Sequence, residues 1–181
     1  MQHHGHNRDN HVPFPGAEHC LRCGHGLASG VLKTGEPERL FCPECGYVHY
    51  FDPKLAACGL IMIRDRILLG RRSISPARGL WVLPGGFVDR GEVVERAMER
   101  EVLEETGLVV RAAGMVGLYS YPGETVAVAV YLGEVIEGEP KAGDETEEVG
   151  LFAPGEIPWP RLAFSSTRDA IKDFFQGLED A

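Results

Sequence analysis

Gly86-Phe87-Val88-Asp89-Arg90-Gly91-Glu92, followed after seven residues by Arg100-Glu101-Val102-Leu103-Glu104-Glu105-Thr106-Gly107-Leu108, decides how this chain is read. If Val93 to Thr106 is a helix, Glu101, Glu104 and Glu105 fall on one face, because residues three and four apart are helical neighbours. That face also carries Val94, Ala97 and Met98, the apolar stripe expected to pack on a core. Three like charges beside an apolar stripe destabilise a bare protein, since each is desolvated near the others. A hard divalent cation, Mg²⁺ or Mn²⁺, reverses that sign because it prefers carboxylate oxygens. A solvated acidic face is the simpler account of E-x-x-E-E alone, but the flanks argue against it. Leu83-Pro84-Gly85-Gly86 reads as a strand end entering a loop, Gly91-Glu92 as a helix start, and Gly107 as a left-handed C-terminal cap. A strand, a Gly-rich loop and a helix in succession can present backbone N–H groups to phosphate.

Upstream, Cys20-Leu21-Arg22-Cys23-Gly24 and Cys42-Pro43-Glu44-Cys45-Gly46 form two C-x-x-C knuckles with eighteen residues between them. This spacing suits a tetrahedral Zn²⁺ site on Cys20, Cys23, Cys42 and Cys45, with each trailing glycine relieving a tight turn. Disulfides are the competing reading, disfavoured because nothing marks the chain for export. A closed four-cysteine site holds a fold and does no chemistry.

Composition bounds the function. The 181 residues are 44% hydrophobic, enough for one core plus a small metal-stapled module. Lys+Arg 18 against Asp+Glu 27 gives a net charge of −9, which argues against a nucleic-acid surface held by phosphate contacts. The apolar run Leu55 to Ile63 is too short to span a bilayer, so no membrane partner and a cytoplasmic location are expected. His3, His4, His6 and His11 sit in a polar stretch read as a disordered tail over 1–16. Cys58, within Ala56-Ala57-Cys58-Gly59-Leu60-Ile61-Met62-Ile63, reads as a buried strand residue and not a nucleophile.

The stretch Gly86-x5-Glu92-x7-Arg100-Glu101-Val102-x-Glu104-Glu105-x-Gly107-Leu108 resembles the signature of the Nudix hydrolases at every fixed position. The resemblance implies an α/β fold, an α/β/α sandwich around a mixed sheet preceded by a small zinc ribbon. It also implies metal-dependent hydrolysis of a nucleoside diphosphate linked to another group, a small nucleotide substrate and a homodimer. On the matching positions, Glu101, Glu104, Glu105 and the Gly86 carbonyl hold Mg²⁺ or Mn²⁺, which neutralises the pyrophosphate and activates a water. Arg100 orients the glutamates, and Glu92 supports the helix from its N-terminal side. Glu145 or Glu148, in an acidic stretch with seven carboxylates from Glu134 to Glu148, is the candidate further glutamate. A four-cysteine ribbon before such a domain occurs in NADH pyrophosphatases, but their S-Q-P-W-P-F-P run is replaced here by Tyr119-Ser120-Tyr121-Pro122-Gly123-Glu124. Ser75-Pro76-Ala77-Arg78-Gly79-Leu80-Trp81, Glu156-Ile157-Pro158 and Leu162-Ala163-Phe164-Ser165-Ser166 instead resemble a ribbon-bearing group that includes plant plastid enzymes cleaving FAD and ADP-ribose. NADH pyrophosphatase and a non-catalytic ligand sensor are the alternatives.

The remaining chain reads as a ribbon over 17–52 and a hydrolase domain over 53–181. Strands are expected at 56–63, 66–72, 81–83, 109–121, 126–135 and 149–152. A final helix is expected over 166–176, with Ser165 or Ser166 as cap and Gly177 as stop. Arg71 or Arg72, ending a strand aimed at the Gly-rich loop, is a candidate phosphate ligand. Trp81, Tyr119, Tyr121 and Phe164 are candidates to stack on a base or flavin ring.

Overall fold

The computed structural model describes Gly16 to Glu179 apart from Asp144, so the tail expected over 1–16 lies, but for Gly16, outside the described residues. The chain divides into two compact units at Pro53/Lys54.

In the N-terminal unit, β1 (Ala28–Gly30), β2 (Arg39–Phe41) and β3 (Val48–His49) form a three-stranded antiparallel sheet. The knuckles close as the glycines allow. Gly24 and Gly46 adopt φ of 77° and 69°, and their N–H groups donate to the Cys20 and Cys42 carbonyls at 2.8 and 2.9 Å.

The C-terminal unit is built on β4 (Lys54–Ile63), β5 (Arg66–Arg72), β6 (Trp81–Val82), β7 (Gly85–Phe87), β8 (Val109–Tyr119), β9 (Val126–Glu137) and β10 (Thr146–Phe152). The sheet runs β10-β5-β4-β9-β8, with β6 pairing on β5 and β7 on β4. Strands β4 and β9 pair in parallel, which makes the sheet mixed. The β4–β5 hairpin turns on Arg64 and Asp65, both at positive φ, and pairs only near its tip. Beyond the tip β4 accepts β7 and β5 accepts β6, so the sheet splits beside the glycine loop.

Both faces of the sheet are covered because its central strands are apolar at consecutive positions, which pleating sends to opposite sides. Leu60, Leu69 and Val130 pack with Ala170 and Ile171 of α2 (Ser165–Glu179). Ile61, Leu68 and Ala129 pack with Ala97, Met98 and Val102 of α1 (Val94–Thr106). The result is the expected α/β/α sandwich. Helix α1 lies so close over β4 that a Cβ at Gly59 would fall 2.7 Å from Val102 Cγ2. It ends as expected at Gly107, φ 71°, whose N–H donates to the Leu103 carbonyl at 2.9 Å. Helix α2 departs from expectation. It begins at Ser165 and runs through Gly177 to Glu179, so Gly177 is not its stop and both serines lie in its first turn. Strand pairing also extends β10 back to Thr146, before the expected 149.

Candidate active site

The split in the sheet places the glycine loop against α1. Glu105, only 9% exposed, turns its carboxylate to the Gly85 N–H at 2.9 Å. Glu101 packs its carboxylate on Gly86 so closely that a Cβ there would lie 2.5 Å from the carboxyl carbon. Arg100 ties the cluster together. Its Nε and Nη2 donate to the two Glu92 oxygens at 2.9 and 3.0 Å. Nη1 donates to Glu101 at 2.7 Å and Glu104 at 3.3 Å, and Nη2 also reaches the Phe87 carbonyl at 3.2 Å. The Glu92 carboxylate further accepts the Asp89 N–H at 3.0 Å. Arg100 therefore bridges the N-terminal side of α1 to two of the three glutamates through a planar fork that a lysine does not possess.

The electrostatics of the cluster are unbalanced. Burial pushes the Glu105 carboxyl up to about 7 against the Gly85 N–H, and the charge of Glu101 adds to the rise. Burial also raises Glu101, opposed by Arg100. By contrast the hydrogen bonds from Arg100, then that from Asp89, hold Glu92 down at about 2. Carboxylates whose ionisation is disfavoured by burial and by each other form a donor set that a hard divalent cation completes. Glu101, Glu104 and Glu105 supply oxygen donors of the kind such an ion prefers.

These glutamates line one side of a cavity of about 1080 Å³. Of the other residues singled out in the sequence, Arg72, Tyr121, Phe164, Glu145, Gly86 and Arg100 line it too. Arg71, Trp81, Tyr119 and Glu148 do not. Arg71 pairs with Glu147 and Glu148 at 3.5 and 2.9 Å. Trp81 is 7% exposed and packs edge-on against Phe152, with ring centroids 4.9 Å apart. Tyr119 is buried and donates its hydroxyl to Asp173 at 2.9 Å. Tyr121 donates to Asp169 at 2.7 Å, which fixes its ring at the cavity wall. The Arg72 guanidinium sits 5.4 Å from the Phe164 ring centroid and donates from Nε to the Pro76 carbonyl at 2.8 Å.

Cys58 is the strand residue expected, in β4 and packed against the core, but it is only partly buried and also lines the cavity beside Gly85. Its surroundings, through desolvation first and then Glu105 and Glu101, push the thiol up to about 12, so it is protonated and a poor nucleophile. Sequence reading also missed Ser165, Ser166 and Thr167 as cavity residues. The signal for them was the serine pair, read as a helix cap and as the end of the phrase from Leu162 to Ser166.

In the N-terminal unit the four cysteine sulfurs converge within 4.8 Å of one another. Cys20 and Cys45 lie 3.7 Å apart and Cys23 and Cys42 3.4 Å. A tetrahedron with metal–sulfur arms of about 2.3 Å has edges of about 3.8 Å, so the cluster is close to the size of a Zn–thiolate site.

Residues 53–174 match the NUDIX domain family, and residues 18–51 match the family described as the Nudix N-terminal zinc ribbon. An ADP-ribose pyrophosphatase of Methanocaldococcus jannaschii is 39% identical over 135 residues, 72% of this chain and 78% of that protein. The NAD-capped RNA hydrolase NudC of Chromobacterium violaceum is 30% identical over 87% of this chain, which spans 59% of that protein. Among solved structures, a NUDIX hydrolase from Nitrosomonas europaea superposes with a TM-score of 0.79 at 30% identity, covering 86% of this chain and 88% of that one. The chain belongs to the Nudix hydrolases. It is a pyrophosphatase that acts on nucleoside diphosphates linked to another moiety and needs a divalent metal. Among the described residues no helix is long and apolar enough to cross a membrane.

Proposed function

We propose that the substrate is ADP-ribose or FAD, cleaved to a nucleoside monophosphate and a phosphate ester such as ribose 5-phosphate or FMN. One observation carries this reading: the glutamates and the pair Tyr121 and Phe164 line a single continuous cavity of about 1080 Å³, roomy for a ligand with groups on both sides of its pyrophosphate. The similarity to an ADP-ribose pyrophosphatase supports it.

In this reading Glu101, Glu104, Glu105 and the Gly86 carbonyl hold Mg²⁺ or Mn²⁺. When bound, the ion neutralises pyrophosphate charge and supplies Lewis acidity. Arg100 and Glu92 fix the glutamate rotamers, since a ligand held by a second hydrogen bond needs no reorganisation. Glu145 lines the same cavity, and in this reading it receives the proton of the attacking water. Water adds to one phosphorus, and the bridging oxygen departs with the other phosphoryl group. Arg72 holds phosphate, and Tyr121 and Phe164 flank a flat ring. Zn²⁺ occupies the four-cysteine cluster, and the protein works as a cytoplasmic homodimer.

A second reading, cleavage of NADH or an NAD cap, rests on the similarity to NudC across both units. Hydrolysis of FAD, ADP-ribose, NADH, NAD-capped RNA, diadenosine polyphosphates and nucleoside triphosphates, with Mg²⁺ and then Mn²⁺, separates the two. The highest kcat/KM is expected for ADP-ribose or FAD. A triphosphate as best substrate, or an NAD compound ahead by tenfold, overturns the assignment.

A further inference from the structure

The cavity lining carries six carboxylates, Asp89, Glu101, Glu104, Glu105, Glu124 and Glu145, among apolar side chains. Arg100 offsets little of this charge because its fork is already occupied by Glu92, Glu101 and Glu104. One stretch of wall has the opposite character. It is the first turn of α2, where Ser165, Ser166 and Thr167 line the cavity.

Three observations point to a ligand there. The backbone N–H groups of Ser165, Ser166 and Thr167 precede the first α2 hydrogen bond, which runs from the Arg168 N–H to the Phe164 carbonyl at 3.3 Å. Among the described residues they have no partner, and they stand at the positive end of a helix fifteen residues long. Ser166 and Thr167 are 7% and 3% exposed, yet neither hydroxyl has a hydrogen-bond partner among the described residues. Neither oxygen is sealed from solvent, so these hydroxyls face the cavity with their donors available to a ligand. Third, Arg72 lies over Phe164, the residue immediately before this turn, and has no carboxylate within ion-pair distance among the described residues. Its Nε is spent on Pro76, and neither Nη group has a hydrogen-bond partner among the described residues.

We propose that the first turn of α2, together with Arg72, is an anion seat for a phosphate ester, one that works without a divalent cation. It deepens the pyrophosphatase reading in one respect only, that the group seated is a phosphoryl group of the substrate or product. A pyrophosphate presents two charged phosphoryl groups. With one drawn to the cation at the glutamates, the other meets free N–H donors, two hydroxyls and a guanidinium in place of carboxylates. The seat thereby fixes which way round the substrate lies, and it retains one phosphate ester after cleavage.

The test is titration of the full-length protein with inorganic phosphate, AMP and ribose 5-phosphate, followed by ³¹P NMR and calorimetry. The buffer is freed of Mg²⁺ and Mn²⁺, and the N-terminal unit keeps its metal. Wild type is expected to bind one equivalent of a phosphate ester saturably. Arg72→Gln, and Ser166→Ala combined with Thr167→Val, should each weaken binding about tenfold or more, the size of losing a charge-assisted hydrogen bond. Glu104→Gln should leave it unchanged or tighter. Ser166→Thr, which keeps the hydroxyl, should retain binding. If the double variant does not fold by circular dichroism, Ser166→Ala alone decides the matter. Absence of saturable binding in wild type, or equal affinity in Arg72→Gln and Ser166→Ala, overturns the seat. The substrate reading fails by a different result, since the hydrolysis panel can rank another pyrophosphate first while metal-free phosphate binding persists.

Discussion

Glu105 accepts a hydrogen bond from the Gly85 N–H at 2.9 Å across the junction between the glycine loop and the end of α1. This contact joins the glycine loop to the end of α1, and it holds a carboxylate where burial disfavours its charge. Glu105 is fixed in place before any cation arrives, and its cost is borne by the metal-free protein.

Glu105→Gln and Glu104→Gln are each expected to lower kcat by about 10²-fold or more at saturating Mg²⁺ while leaving the fold intact. For Glu105 the pH dependence has a definite sign. Its carboxyl is raised to about 7, so its proton contributes stability fully present below the ordinary carboxylate range and lost as pH rises through about 7. Metal-free Glu105→Gln should therefore match wild type in thermal midpoint near pH 4 and exceed it at pH 8. A variant less stable than wild type at pH 8 contradicts the electrostatic account, and full activity in both variants removes these residues from the metal site.

Gly86→Ala tests the closeness of loop and helix. The added Cβ would lie 2.5 Å from the Glu101 carboxyl carbon, so either the loop or the carboxylate must move. A displacement of this kind at a reacting centre costs about tenfold or more in kcat/KM. Kinetics beside a thermal melt measure it, and unchanged kcat/KM shows that Glu101 does not need this position.

Arg100→Lys keeps the charge and loses the fork that holds Glu92, Glu101 and Glu104. Apparent Mg²⁺ affinity and kcat are each expected to fall by about 10-fold to 100-fold, the range for residues that orient metal ligands. In wild type the Glu92 carboxyl should titrate near 2 by carboxyl ¹³C NMR, so its pairing is present above the ordinary carboxylate range and lost only as pH falls through about 2. In Arg100→Lys that titration should move upward. A Glu92 that titrates normally in wild type sinks this account.

Elemental analysis should find about one zinc per chain, and Cys23→Ser or Cys42→Ser should unfold the N-terminal unit at lower temperature, with a smaller effect on hydrolysis. Metal binding free energy in such a module is largely its folding free energy. Zinc-free protein whose N-terminal unit melts like wild type would refute it.

Tyr121→Ala and Phe164→Ala should raise KM for FAD more than for a short pyrophosphate analogue with no second ring. Both rings line the cavity, and truncation removes contact area only from a ligand long enough to reach them. Equal increases for both ligands would show that these rings serve packing instead.

Some of this was local, and the sequence carried it. Helical spacing brings Glu101, Glu104 and Glu105 to one face, each knuckle needs only four residues and a glycine, and consecutive apolar residues mark strands covered on both sides. What failed was decided between segments. Arg71 and Arg72 are equivalent in sequence, but a strand sends neighbours to opposite faces, so Arg72 lines the cavity while Arg71 is paired with Glu147 and Glu148. Glu145 and Glu148 were likewise indistinguishable until β10 paired with β5. A register shift between Thr146 and Glu148 leaves Glu145 at the cavity and sets Glu148 opposite Arg71. Trp81 went to the core because β6 is held between β5 and Leu162. The first turn of α2 became a cavity wall because its packing on the sheet, through Ala170 and Ile171, fixes where the helix begins in space. Local periodicity is written in the order of residues, whereas the choice between two neighbouring arginines or two nearby glutamates depends on strand register, which forms only when distant segments pair.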